Sequence, residues 1–126
     1  MRKIKIIALL PILIGSFIMS IVNAEMPGMS GEIRRDYSDT QFGRVHYWTI
    51  GEGPALLLVH QSGQTSAEYL SLAPFLAETF KVIGIDLPNH GQSDTSKYEL
   101  NVDEYADSVI DVLNVIGVEK IHILGQ

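Results

Sequence analysis

Three short, mostly apolar runs constrain the fold more than any other feature of this sequence. They are ALLLVH (residues 55–60), KVIGID (81–86) and KIHIL (120–124). Strands that are buried on both faces, as in parallel sheets, show such runs instead of an alternation of apolar and polar residues. Longer segments with helical periodicity separate the runs. The resulting order of strands and helices predicts a parallel sheet with helices on its faces, joined by right-handed crossovers.

The two separating segments carry recognisable helix signals. Residues 66–80 place apolar side chains at three- and four-residue steps, and Pro74 is expected to kink or divide this helix. Asn101 with Glu104 three residues later is a capping signature that starts the second helix. Gly117 is expected to end it.

A hairpin is predicted before the first parallel strand. Two β-rich runs, residues 32–39 and 44–50, are joined by a short link that contains Gly43, which indicates an antiparallel pair. The fold class is therefore α/β, with an N-terminal hairpin followed by parallel strands that alternate with helices. The side chains expected in the core include Trp48, Tyr69, Phe75 and, on the last strand, His122.

The first 24 residues have the pattern of a secretory signal peptide. Three cations precede a mostly apolar run, and Val-Asn-Ala at residues 22–24 offers a cleavage site. An uncleaved membrane anchor and a buried helix are the alternatives. The interpretation implies export to the periplasm or out of the cell, with membrane contact only through this leader. Residues 25–31 are then a flexible lead-in, and residues 32–126 the N-terminal portion of a single, incomplete domain.

The composition argues against several kinds of partner. The formal net charge is −6, whereas nucleic-acid binding requires clustered lysine and arginine. The absence of cysteine excludes disulfides and lipoprotein attachment. Neither a glycine-rich dinucleotide fingerprint nor a phosphate-binding loop follows a strand, and no spaced set of metal ligands is present. We therefore expect no cofactor, no metal and no nucleic acid.

The residues that follow the three strands carry the functional signal. They are HQSG (60–63), DLPNHG (86–91) and GQ (125–126), and ligands bind beyond the carboxyl ends of such strands. Residues 43–126 resemble the amino-terminal half of an α/β-hydrolase-fold enzyme, the superfamily of lipases, esterases, epoxide hydrolases and dehalogenases. Members show a strand ending in His-Gly, then Asp-x-Pro-Gly-x-Gly-x-Ser, then a strand leading into Gly-x-Ser-x-Gly.

This resemblance implies where the catalytic groups lie. Gly125 and Gln126 match the first two positions of the nucleophile elbow, so the nucleophile would be residue 127, and the acid and histidine would follow it. No triad member is then expected within these 126 residues, and the chain alone is expected to be inactive. One oxyanion donor is expected from the backbone N–H of Ser62, beside Gln61, where the family usually has glycine.

Other residues in these loops are predicted to be structural. His60 is expected to brace the oxyanion loop, and Asp86, Gly91 and Ser93 to shape the loop after the next strand. Asn89 stands where the family has glycine and tolerates positive φ better than most residues. If the resemblance is set aside, the sequence of residues 61–66 is also typical of an ordinary turn and helix cap.

The predicted activity is hydrolysis of an ester or related bond in a small, uncharged or hydrophobic molecule. An aspartate-nucleophile dehalogenase or epoxide hydrolase, and a cofactorless non-hydrolytic enzyme, are alternatives on the same fold. A third alternative is a non-catalytic exported binding module. It is disfavoured because strand KIHIL would be an apolar, unpaired sheet edge, which promotes aggregation. Expressed alone, residues 25–126 are therefore expected to be poorly soluble or partly molten.

Overall fold

The computed structural model describes residues 31–126. The predicted signal peptide and residues 25–30 of the predicted lead-in lie outside the described residues.

Five strands form one sheet, with helical segments in two of the connections. The strands are β1 (Arg34–Thr40), β2 (Gly43–Ile50), β3 (Ala55–Val59), β4 (Lys81–Ile85) and β5 (Ile121–Gly125). A 3₁₀ turn (Ser66–Tyr69) and helix α1 (Ala73–Leu76) connect β3 to β4, and helix α2 (Val102–Ile116) connects β4 to β5. None of the helices in residues 31–126 has the length and apolar character needed to cross a membrane.

The sheet has the order β1-β2-β4-β3-β5. β1 and β2 form an antiparallel hairpin, β2 is antiparallel to β4, and β3 is parallel to both β4 and β5. The predicted α/β class, the hairpin and the parallel strands are therefore confirmed. β5 pairs only with β3 among the described strands, so it lies at the edge of the sheet, as predicted.

The helix signals produce the expected local structure. Pro74 divides the predicted helix and lies in the first turn of α1, where its missing N–H removes no helical hydrogen bond. At the start of α2, the Asn101 side chain accepts from Glu104 N and the Glu104 side chain accepts from Asn101 N, which completes a capping box. Gly117 ends α2 at φ 77°.

Apolar side chains cover both faces of the sheet. One face packs against the 3₁₀ turn and α1 through a cluster that contains Trp48, Leu58 and Tyr69. The other face packs against α2 through a cluster that contains Leu57 and Val112. Trp48 lies so close to Gly84 of the neighbouring strand that a Cβ there would overlap the indole ring. The core predictions for Trp48 and Tyr69 are therefore confirmed.

Two core predictions are wrong. Phe75 is 71% exposed, because α1 is a single turn and only Ala73 of that turn is fully buried. His122 is also exposed, since β5 is an edge strand. Its ring makes an edge contact with Phe80, with 6.0 Å between centroids. Helical or strand periodicity indicates a facing direction, but burial also requires a neighbouring element to cover that side.

Candidate active site

Three chain segments emerge together at one edge of the sheet. Val59 lies in register with Ile85 of β4 on one side and with Gly125 of β5 on the other. The residues that follow these strands, His60, Asp86 and Gln126, therefore leave the sheet at the same level. The structure thus brings the three segments selected from the sequence to one end, where parallel sheets bind ligands.

His60 connects two of these segments. Its side chain is buried, Nε2 accepts from the backbone N–H of Leu87 at 3.1 Å, and Nδ1 lies 2.9 Å from the carbonyl oxygen of Gln61. Because Nε2 accepts, the proton of the neutral ring lies on Nδ1 and is donated to Gln61 O. The ring also contacts the ring of His90, with 4.9 Å between centroids. His60 therefore joins the first loop to the second.

The loop after β3 is a tight, exposed turn. Gln64 N donates to Gln61 O at 3.1 Å, and Gly63 has φ 77°. Gln61 does not adopt positive φ, so the glycine usual in the family is not required at this position. Within residues 31–126, no acceptor is bonded to the N–H of Ser62. That amide is available to a ligand at the end of the sheet.

Asp86 is a buried carboxylate with donors on both oxygens. Oδ1 accepts from Ser66 N at 2.8 Å, and Oδ2 accepts from Gln92 N at 3.0 Å and from His46 Nδ1 at 2.9 Å. Burial raises the pKa of Asp86, but the hydrogen bonds from Gln92, Ser66 and His46 outweigh burial and hold the pKa below the usual 3.8. Asp86 is therefore an ionised group that links three separate parts of the chain.

His46 and Ser66 belong to this network, and sequence reasoning assigned neither of them a role. His46 is 2% exposed on β2, and its Nε2 is buried without a hydrogen-bond partner in the described part of the chain. Ser66 Oγ accepts from the indole N–H of Trp48 at 2.9 Å. Only a sequence signal for the pairing of β2 with β4 could have revealed the contact between His46 and Asp86.

The loop after β4 is folded around the Asp86 backbone and side chain. Ser93 Oγ donates to Asp86 O at 2.5 Å and accepts from His46 N at 2.8 Å. A Cβ at Gly91 would overlap the Asp86 carboxylate. Asn89 adopts φ 69°, as its replacement of glycine led us to expect, and its Oδ1 accepts from Ser96 N at 2.7 Å.

One cavity lined by the described residues lies away from this edge. It has a volume of about 720 Å³ and is lined by the loop at residues 51–53, Glu78 and Lys81, at the opposite end of β3 and β4. A second cavity of about 90 Å³ is lined by His46, Asp86 and neighbouring residues. Residues 31–126 bring no three histidine, cysteine, aspartate or glutamate side chains together in a metal-binding arrangement.

Comparisons with known proteins agree with this geometry. A family model described as the alpha/beta hydrolase fold matches residues 54–126. An uncharacterized protein of Mycobacterium tuberculosis is 38% identical over 91 residues, which are 68% of this chain and 27% of the relative. A soluble epoxide hydrolase of Corynebacterium sp. is 32% identical over 98 residues, which are 78% of this chain and 34% of the relative.

A solved structure gives the same result in three dimensions. The structure of an epoxide hydrolase without ligand superposes with a TM-score of 0.72 at 30% sequence identity, covering 75% of this chain and 34% of that protein. The chain thus spans about a quarter to a third of the length of these relatives. The strand order, the loops at the sheet edge and these likenesses together show that the chain belongs to the alpha/beta hydrolase fold family.

Proposed function

We propose that this chain is the amino-terminal part of an exported enzyme that hydrolyses an ester or related bond. The nucleophile is residue 127, directly after Gly125 and Gln126, and the acid and histidine of the triad follow later in the polypeptide. The free N–H of Ser62 carries the proposal, because it lies in the loop after β3 beside the strand that ends at Gly125.

The proposed chemistry needs that N–H at this place. Attack on a carbonyl carbon places negative charge on the carbonyl oxygen, and a fixed backbone dipole stabilises it without reorganising. Ser62 N–H supplies one donor, and the N–H of the residue after the nucleophile supplies the second. Loss of one such donor costs roughly 3 kcal/mol of transition-state stabilisation. A histidine beyond residue 126 then activates the water that releases the product.

Two relatives support a second candidate, an epoxide hydrolase with an aspartate nucleophile. The epoxide hydrolases are 32% and 30% identical to this chain over the shared region. Ring opening by a carboxylate gives an ester intermediate, and its hydrolysis again develops negative charge on a carbonyl oxygen. The Ser62 N–H serves this chemistry too, so the identity of residue 127 separates the two candidates.

The first experiment is to read the coding DNA beyond the Gln126 codon. Serine at position 127, with an acid and a histidine downstream, predicts hydrolysis of p-nitrophenyl acetate by the longer polypeptide. Aspartate at 127 predicts hydrolysis of styrene oxide instead. Replacement of residue 127 by alanine should abolish either activity, and residues 25–126 alone should show none. A stop codon after Gln126 would overturn the proposal and favour a non-catalytic binding module.

The compartment and the ligand class are part of the proposal. The leader supports export, and cleavage after Ala24 is tested by N-terminal sequencing of protein recovered from a Gram-negative expression host. The proposed substrate is a small, uncharged or hydrophobic molecule. The formal net charge of −6, which becomes −9 when the three cations of the leader are removed, disfavours anionic ligands. A start at Met1 in the recovered protein would contradict the cleavage prediction.

A further inference from the structure

We propose that Asp86 and His46 are positioning residues that hold the loop carrying the Ser62 N–H in the conformation an oxyanion requires. This inference rests on the proposed function, because it assigns a purpose to that loop. It adds two residues, one of them on the N-terminal hairpin, to the apparatus around the oxyanion donor.

Two neighbouring residues after β4 fasten both ends of the loop. At its start, Leu87 N donates to His60 Nε2 at 3.1 Å, and the same ring reaches Gln61 O at 2.9 Å. At its end, Ser66 N donates to Asp86 Oδ1 at 2.8 Å. The intervening residues 61–64 are exposed. Their conformation therefore depends on the anchors and on the single turn bond between Gln64 N and Gln61 O.

Asp86 can act as an anchor because its own position is determined from several sides. Its side chain accepts from His46 Nδ1 and Gln92 N, and its carbonyl oxygen accepts from Ser93 Oγ. Hydrogen bonds to an ionised, buried carboxylate are stronger than neutral ones. The absence of a side chain at Gly91 leaves room for the carboxylate. A shift of Asp86 would move Ser66 N and with it the end of the loop.

His46 is the partner of Asp86 that can be changed most selectively. Its Nδ1 makes the bond to Asp86, whereas Nε2 has no partner in residues 31–126. An asparagine places an amide N–H close to where Nδ1 lies, so it can keep the bond to Asp86 and gives up no other hydrogen bond of the ring. A leucine of similar size removes the donor. The two substitutions therefore separate the hydrogen bond from the packing of the ring.

The experiment compares His46→Leu and His46→Asn in the longer polypeptide with its nucleophile intact. We measure kcat and KM for p-nitrophenyl acetate, or styrene oxide if residue 127 is aspartate. We also measure amide hydrogen exchange at Gln64 and Ser66, whose N–H groups are hydrogen-bonded in the folded loop. His46→Leu should lower kcat about tenfold or more, less than the ~10²–10³-fold loss when a donor is removed outright. KM should change less than about twofold and exchange should accelerate, because the donor is displaced in the transition state and the loop is loosened. His46→Asn should restore both readouts.

Two controls separate positioning from loss of stability. Val112→Ala destabilises the opposite face of the sheet and should leave kcat and the exchange of Gln64 and Ser66 unchanged. If His46→Leu does not fold, Asp86→Asn provides a milder test, because it keeps the size of the side chain and replaces one of the oxygens that accept from His46 Nδ1 and Ser66 N. It should lower kcat a few-fold and speed exchange at the end of the loop.

The outcomes distinguish the two proposals. Unchanged exchange in the folded His46→Leu variant would overturn the positioning role, as would a loss of kcat that His46→Asn does not recover. If His46→Leu does not fold, unchanged exchange in Asp86→Asn would overturn it. If the wild-type polypeptide hydrolyses neither the ester nor the epoxide, the proposed function fails. Hydrogen exchange still decides in that case whether Asp86 and His46 hold the loop.

Discussion

Gly91 and Gly63 offer a matched pair of substitutions that isolates the packing around Asp86. Both glycines adopt positive φ, 51° and 77° respectively. An alanine in this region costs about 1–2 kcal/mol for conformational reasons alone. At Gly63, a Cβ would meet no other atom within 4 Å. Gly63→Ala should therefore lower the free energy of unfolding by about 1–2 kcal/mol and no more.

Gly91→Ala should cost considerably more. The new Cβ would overlap the carboxylate of Asp86, which must shift away from at least one of its donors. Each hydrogen bond to a charged group contributes about 1.5–3 kcal/mol. Adding the conformational cost gives an expected loss of about 2.5–5 kcal/mol, or roughly 1.5–3 kcal/mol more than Gly63→Ala.

Urea unfolding, followed by circular dichroism, measures the loss in free energy of unfolding for both variants of the longer polypeptide. Equal m-values in the two variants would show that the same surface is exposed on unfolding and that the free energies can be compared. A Gly91→Ala variant that loses no more stability than Gly63→Ala would refute the reasoning. It would mean that the loop accommodates the Cβ without moving Asp86.

Three further predictions concern the core, the buried carboxylate and the sheet edge. Val112→Ala, at a fully buried position of α2, should lower the free energy of unfolding by about 2–3 kcal/mol. Val115→Ala, at a position 64% exposed on the same helix, should lower it by less than about 0.5 kcal/mol. Similar losses for the two variants in urea unfolding would contradict the assigned packing. The pKa of Asp86 is lower in the folded protein than its usual 3.8, so ionisation stabilises the fold above pH 3.8, and this contribution is lost as the pH falls through the folded pKa. Asp86→Asn should therefore be less stable than the wild type at pH 7 and should lose less stability on acidification below pH 3.8. Parallel curves of stability against pH for the two proteins would contradict this. Expressed alone, residues 25–126 should aggregate through β5, where Ile123 is 66% exposed. Ile123→Lys should raise the monomeric fraction measured by light scattering. A monomeric wild-type fragment with a cooperative melting transition would contradict this prediction and favour a binding module.

The family and the local structure were accessible from the sequence because their signals are local. Short, mostly apolar runs predict strands, and all three runs form strands. Burial of the third was predicted wrongly, because β5 lies exposed at the edge of the sheet. The capping box at Asn101 and the positive φ of Asn89 each depend on a few neighbouring residues. The order of the strand-end motifs was enough to identify the superfamily. The proposed nucleophile, the leader and the oxyanion role of Ser62 come from the same patterns and remain predictions.

The tertiary structure decided which distant residues meet. His46 and Asp86 are 40 positions apart, and they touch only because β2 inserts next to β4 in the sheet. The same strand order places Trp48 against Gly84, and it leaves β5 with His122 at an uncovered edge. Helical periodicity suggested burial for Phe75, but α1 is one turn long and leaves that ring in solvent. Local periodicity encodes the direction in which a side chain points, whereas the neighbour that it meets depends on strand order and register, which are set by long-range packing.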